Sequence, residues 1–313
     1  MANRHIQTIY SSIFRKLPTI NFDIEKFHLS DGDFLDCYWL KSDIQTPDRP
    51  IVVLFHGLAG SYESPYIKGM MIELKNAGLD SVVMHFRGCS GVDNALARSY
   101  HSGETGDAKE FLLSLKLRFP SSKLFCIGYS LGANMLLKLL GELKDNSLIH
   151  KAVAVSPPMV LDVCANRMNI GFSRYYQYRL VKDLNIALDK KYSKHKMSNY
   201  ISLKRSEIKN LKTFWEFDEA YTAPIHGFES AQDYYDKSSS KQYLKYIKTP
   251  TLIIHSSDDP FMTQEVLPTE EELSKSINFE LLCKGGHVGF ISGTLFNPIY
   301  WLDKRISEYF KDS

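Results

Sequence analysis

Cysteine is scarce in this chain, and what little there is excludes two classes at once. Five cysteines, Cys37, Cys89, Cys126, Cys164 and Cys283, are scattered over 313 residues. An odd number at wide spacing is neither a disulfide framework nor a metal-ligand set. A reducing cytosol is the simplest home for such thiols, and Cys126 and Cys283 fall in apolar runs where small buried thiols are ordinary. Charge of one sign is also lacking: 38 Lys and Arg against 36 Asp and Glu leave a formal net charge of +2, too little to imply a nucleic-acid partner. No apolar run approaches the length that spans a bilayer, and Met1–Thr8 has no apolar core of the secretory kind, which points to the cytoplasm. Internal repeats and low-complexity tracts are missing as well.

What is present is the composition of a soluble globular protein, 44% hydrophobic and 24% charged, arranged in alternating strand and helix patterns. Residues 1–20 form an arm without a clear pattern, and Phe22–Leu29 and Phe34–Leu40 read as a hairpin joined at Ser30-Asp31-Gly32. Pro47 and Pro50 mark a loop. The run Ile51–Phe55 is apolar throughout, as in a parallel strand buried on both faces. Helical stretches near Pro65–Ala77, near Glu104–Arg118 and up to about Leu143 then alternate with strands at Ser81–Phe86, Lys123–Ile127 and Lys151–Val155. Strands resume at Leu252–His255 and Asn278–Cys283, and an amphipathic stretch Ile299–Phe310 closes the chain. This order predicts an α/β fold, a mostly parallel sheet covered by helices on both faces, with the hairpin antiparallel at one edge. Residues 159–248 break the alternation. They are rich in Tyr and Lys and read as a helical cap inserted between a first core part, residues 1–158, and a second, residues 249–313.

The organising stretch is Leu124–Lys138, an apolar strand, the turn Gly128-Tyr129-Ser130-Leu131-Gly132, and an amphipathic helix. A strand-to-helix turn of this form lifts the central hydroxyl above the sheet edge, which makes Ser130 the candidate nucleophile. Serine needs a base, an orienter for that base and donors for a developing oxyanion. Folds with such an elbow order these groups Ser, acid, His. His287, in Gly285-Gly286-His287-Val288-Gly289-Phe290 after the last strand, is the candidate base. Asp258 and Asp259 both follow the strand Leu252–His255; counting from Pro250 favours Asp259, and Asp258 stays as the alternative acid or a cap on loop amides. Asp162 is a third candidate. Oxyanion donors are expected at the amide of Leu131, on a helix N-terminus, and at the amide of Leu58 in His56-Gly57-Leu58. His56 suits a loop-bracing hydrogen bond better than a catalytic one. No metal or organic cofactor is called for.

His56-Gly57-Leu58, Met84–Gly91, Tyr100–Thr105, the elbow, Asp258–Phe261 and Gly286–Phe290 together resemble the YheT-type branch of the α/β-hydrolases, to which the eukaryotic ABHD lipid-esterase-like proteins are similar. With Asn3–Thr8 the likeness runs over almost the whole chain. It implies an α/β-hydrolase fold with an eight-stranded sheet, a triad at Ser130, Asp259 and His287, and carboxylesterase-like activity through an acyl-enzyme. The substrate expected is a short- to medium-chain or lipid-like ester. Thioester or amide hydrolysis by the same apparatus, and a weakly catalytic binding protein on the same fold, are the competing readings. Among the branch motifs, Arg87 and Glu104 are expected to form an internal ion pair, and His101 to cap the helix that Glu104 begins.

In the cap, Phe172, Tyr175, Tyr176 and Tyr178 suit either helix packing or an apolar acyl-binding surface. Eight Lys and Arg between Lys190 and Lys212 stand against Asp189 and Glu207. Either a solvated helix face, or a peripheral contact with anionic membrane surfaces or acidic substrate head groups, accounts for that excess.

Overall fold

The computed structural model describes residues 3–44, 48–294 and 296–311; Pro47 lies outside them. The arm at the N-terminus is a helix, α1 (Arg4–Phe14), started by Asn3, whose side chain accepts hydrogen bonds from the His5 and Ile6 amides. The hairpin β1 (Asp23–His28) and β2 (Phe34–Leu40) leads into β3 (Ile51–Phe55), α2 (Pro65–Asn76), β4 (Asp80–Met84), α3 (Gly106–Arg118), β5 (Leu124–Tyr129), α4 (Leu131–Leu143) and β6 (Ile149–Val155). Then come helices α5 (Leu161–Arg167), α6 (Ser173–Lys194), α7 (Phe214–Phe217), α8 (Ala223–His226) and α9 (Ala231–Ser238). The strands β7 (Thr251–Ser256) and β8 (Ile277–Leu282) are followed by a short hairpin, β9 (Ile291–Gly293) with β10 (Pro298–Tyr300), and by α10 (Trp301–Lys311).

Eight strands form one sheet in the order β1-β2-β4-β3-β5-β6-β7-β8. From β4 to β8 every neighbouring pair is parallel, while β1 and β2 run antiparallel at one edge. Period-two alternation explains the layers. Ile51, Val53 and Phe55 of β3 face the side covered by α3 and α4, packing with Phe111, Leu115 and Leu136. Val52 and Leu54 face the other side, covered by α2 and α10 through Met70, Leu74 and Ile306. All five side chains of β3 are buried, and each such residue stabilises the fold by about 1.5–3 kcal/mol, so the sheet requires cover on both faces.

Three expectations are corrected. The closing amphipathic stretch is a strand up to Tyr300 and helix only from Trp301, because Pro298–Tyr300 pairs with Ile291–Gly293. Cys283 is exposed just past β8 rather than buried in it. The lysine-rich stretch is not one solvated face: Lys191 is buried, and its ammonium donates to the Leu96 carbonyl at 2.7 Å and to the Asn94 side chain.

Candidate active site

Ser130 sits between β5 and α4 with φ 52°, a left-handed conformation rare for a residue with a side chain. The turn closes only because glycine flanks it. A Cβ on Gly128 would stand 2.5 Å from the Gly132 carbonyl oxygen, and one on Gly132 would stand 2.5 Å from the carbonyls of Phe55 and His56. The elbow is thereby pressed against the end of β3 and the loop that carries Leu58.

The Ser130 hydroxyl lies 2.8 Å from His287 Nε2, to which it can donate. His287 Nδ1 lies 2.8 Å from Asp259 Oδ2; a carboxylate only accepts, so this contact places the ring proton on Nδ1. Asp259 and His287 are both buried. Asp259 Oδ1 also accepts from the Phe261 amide at 2.8 Å, and the Phe261 ring stacks on the imidazole with centroids 4.0 Å apart. Those contacts fix both members of the pair. Asp258 does different work: its Oδ1 accepts from the amides of Gly285 and Gly286 at 2.9 Å each and from the Ser256 hydroxyl, holding the loop that carries His287. Asp162 lies in the first turn of α5.

Leu131 opens α4, where the first amides have no carbonyl within the helix to bond. Leu58 and Leu131 border, with Ser130 and His287, one cavity of about 370 Å³. The Leu58 loop is braced on both sides. Gly57 and Ala59 donate their amides to the hydroxyls of Tyr66 and Tyr100, and His56 Nε2 accepts from the Phe86 amide at 3.1 Å. Burial drives the His56 imidazole down to about 3, so it stays neutral and serves as this acceptor. Further walls of the cavity are apolar, among them Leu161, Met168, Leu184 and Phe217 from the segment between β6 and β7. Charged groups line it too, among them Asp183, Lys191 and Asp218. Burial pushes the Asp218 carboxyl up to about 6, and the Tyr235 hydroxyl donates to it at 2.7 Å.

The branch motifs pair differently from expectation. Arg87 is fully enclosed and binds Asp31, Asp33 and Asp107, at 2.8, 2.9 and 2.6 Å, rather than Glu104. Glu104 takes Arg98 instead, at 2.8 Å, and accepts the amide of Gly106, the first residue of α3. His101 does not cap that helix; its Nδ1 accepts from Gly103 one turn earlier. The acids that claim Arg87 come from a hairpin turn and a helix far apart in sequence, and no local pattern announces them.

His101, Glu104 and His226 bring one ligand-type atom each within 4.8 Å of one another. Their chemistry does not suit a cation. Nδ1 of His101 already accepts a hydrogen bond, which leaves the proton of the neutral ring on Nε2, the atom turned toward Glu104. The Arg98 guanidinium occupies the same carboxylate.

Three supporting residues escaped the sequence reading. Gln7 of α1 exchanges two hydrogen bonds with the backbone of Ile291, and Thr8 accepts the His287 amide at 3.0 Å. The N-terminal helix therefore holds the histidine loop, and the motif Asn3–Thr8 was its only trace in the sequence. Asn134, buried in α4, ties Ser102 to Ser238 and Ser240, fastening the elbow helix to the chain just before β7.

A parallel sheet entered through an antiparallel hairpin, with a strained serine at the end of β5 and a histidine after β8, defines an α/β-hydrolase. A family model described as the alpha/beta hydrolase fold matches residues 50–294, and the chain belongs to that family. Within it, the chain is 41% identical to the candidate esterase YheT of Escherichia coli, over 98% of this chain and 90% of that one. It is 31% identical to the medium-chain fatty acid ethyl ester synthase/esterase 2 of Saccharomyces cerevisiae, over 86% of this chain and 63% of the yeast protein. Among solved structures, the Pyrococcus furiosus esterase Pf2001 superposes with a TM-score of 0.61 at 20% identity, over 94% of this chain and 91% of that one, a likeness of fold.

Proposed function

We propose that this protein is a serine hydrolase that cleaves carboxylic esters of short to medium acyl chains through an acyl-enzyme. The reading rests on one observation above others, the continuous line Ser130 Oγ, His287 Nε2, His287 Nδ1 and Asp259 Oδ2 with both contacts at 2.8 Å. In the proposed cycle Ser130 Oγ attacks the acyl carbon while His287 takes the hydroxyl proton. Asp259 holds the imidazole in the required tautomer and stabilises the imidazolium that forms. The amides of Leu58 and Leu131 receive the oxyanion. Collapse expels the alcohol with the proton from His287, and water then repeats the sequence to release the acid.

Residues 159–248 act in this reading as a cap that selects the acyl chain, on a core made of residues 1–158 and 249–313. A cavity of about 370 Å³ has room for roughly a dozen water-sized groups, which corresponds to an acyl chain of medium length. The yeast relative, whose name specifies medium-chain fatty acid ethyl esters, is consistent with that size. Five unpaired cysteines suit a cytoplasmic setting. The test is hydrolysis of an ester series from acetyl to long acyl. The expected result is a maximum in kcat/KM at medium length, lost in Ser130→Ala. A flat profile would remove the role given to the cavity.

A further inference from the structure

One surface next to the site is used by neither the chemistry nor its bracing. The first turn of α1 meets the start of α6 where His5 Nδ1 lies 3.1 Å from the Tyr176 hydroxyl and the His5 ring lies 4.6 Å from Phe172. Tyr176 in turn packs on Phe261, the residue stacked on His287. Around this junction large apolar side chains stand in solvent: Ile6, Ile170, Phe172, Tyr175 and Tyr178 are 41–62% exposed. Single exposed hydrophobics are ordinary, but a run along one helix start is not.

The charge of the same two segments has one sign. Residues 3–16 and 166–182 hold seven Lys or Arg and no Asp or Glu. Arg15 is tied to Asp303, while Arg4, Arg174, Arg179 and Lys182 are exposed. Arg4 and Arg167 come close enough to His5 that, after burial, they are the next causes holding its imidazole below the usual range.

We infer that this face docks the protein on an anionic lipid bilayer, with Phe172, Tyr175 and Tyr178 in the headgroup layer and Arg174, Arg179 and Lys182 against the phosphates. Amphipathic rings favour that depth, and basic side chains near an anionic surface add attraction. A second copy fits less well, because a two-fold contact would set these cations against their own equivalents. The lysine-rich stretch further along is a poorer candidate, since Lys191 is buried, Lys194 pairs with Asp93 and Arg205 with Asp189. The bound face lies beside the loop of Asp259, to which α6 is fastened by the Ser173 hydroxyl donating to the Pro260 carbonyl at 2.6 Å.

Docking is independent of the serine chemistry, so it is tested in Ser130→Ala protein by flotation with phosphatidylcholine vesicles that contain or lack phosphatidylglycerol. Binding is expected only with phosphatidylglycerol. Combined Arg174→Glu, Arg179→Glu and Lys182→Glu should weaken it at least about tenfold, and Phe172→Ser with Tyr175→Ser and Tyr178→Ser comparably. Lys190→Glu with Lys209→Glu and Lys212→Glu should leave it within about twofold. Circular dichroism, and hydrolysis of a short soluble ester by each variant with Ser130 restored, check that the surface variants fold. The inference is overturned if folded protein ignores anionic vesicles, or if the Lys190 set rather than the Arg174 set abolishes binding. It is equally overturned if light scattering finds a dimer that the Phe172 set converts to monomer.

Discussion

Adjacent aspartates carry the sharpest question at the scale of single residues. The sequence favoured Asp259 over Asp258 only by its position along the chain, because which carboxylate turns toward a histidine depends on the path of a short loop. In the structure Asp259 meets His287, while Asp258 gathers two glycine amides and a serine hydroxyl. The two roles predict different variants. Asp259→Asn should leave stability nearly intact and lower kcat by about 10⁴-fold, because the wrong tautomer is held. Asp258→Ala should lower the urea midpoint, removing hydrogen bonds to a charged acceptor that contribute about 1.5–3 kcal/mol each, with a smaller and secondary effect on kcat. Equal losses in both, or the reverse pattern, would reassign the acid. Ser130 and His287 were legible because glycine-bounded turns at the ends of apolar strands are local signals. The partners of Arg87 were not, since Asp31, Asp33 and Asp107 converge only through the tertiary fold.

Elements were read well where they are long and buried and poorly where they are short. The helical identity of α1 went unread although Ile6, Ile9, Tyr10, Ile13 and Phe14 recur at helical spacing, and its support comes from distant loops through Gln7 and Thr8. The hairpin β9–β10 has three residues a side, too few for a period to show. A property the sequence hid is a set of buried histidines along the ends of the parallel strands, His56 after β3, His85 after β4 and His255 in β7. Burial lowers all three imidazoles, His56 to about 3. Below the ordinary histidine value of 6.5 the unfolded chain takes up protons that the fold refuses, so stability is full above that pH and falls as pH falls. His56 alone should remove about 2 kcal/mol by about pH 5. Urea unfolding near neutrality and near pH 5 checks this, and unchanged stability would mean that these rings are accessible or already charged in the fold.

At the scale of the whole molecule, the sheet was the most legible feature, because strands buried on both faces must be apolar at every position, as β3 and β5 are. Alternation with helices then left few topologies open. The segment between β6 and β7 was legible only as a break in that alternation. Its helices pack in small clusters of their own, such as Leu188, Met197, Ile208 and Phe217, and their arrangement over the serine follows no period. The division of labour in the proposed enzyme follows from this contrast. The regular sheet fixes the positions of Ser130, Asp259 and His287, and the irregular segment shapes the cavity beside them.

In the proposed reaction the atom that bonds to the acyl group is Ser130 Oγ. Incubation of the folded protein with a fluorophosphonate, followed by peptide mass mapping, reads that directly. The expected result is a single adduct on Ser130, absent in Ser130→Ala and strongly slowed in His287→Ala. An adduct at another residue, or ester hydrolysis undiminished in Ser130→Ala, would contradict the account.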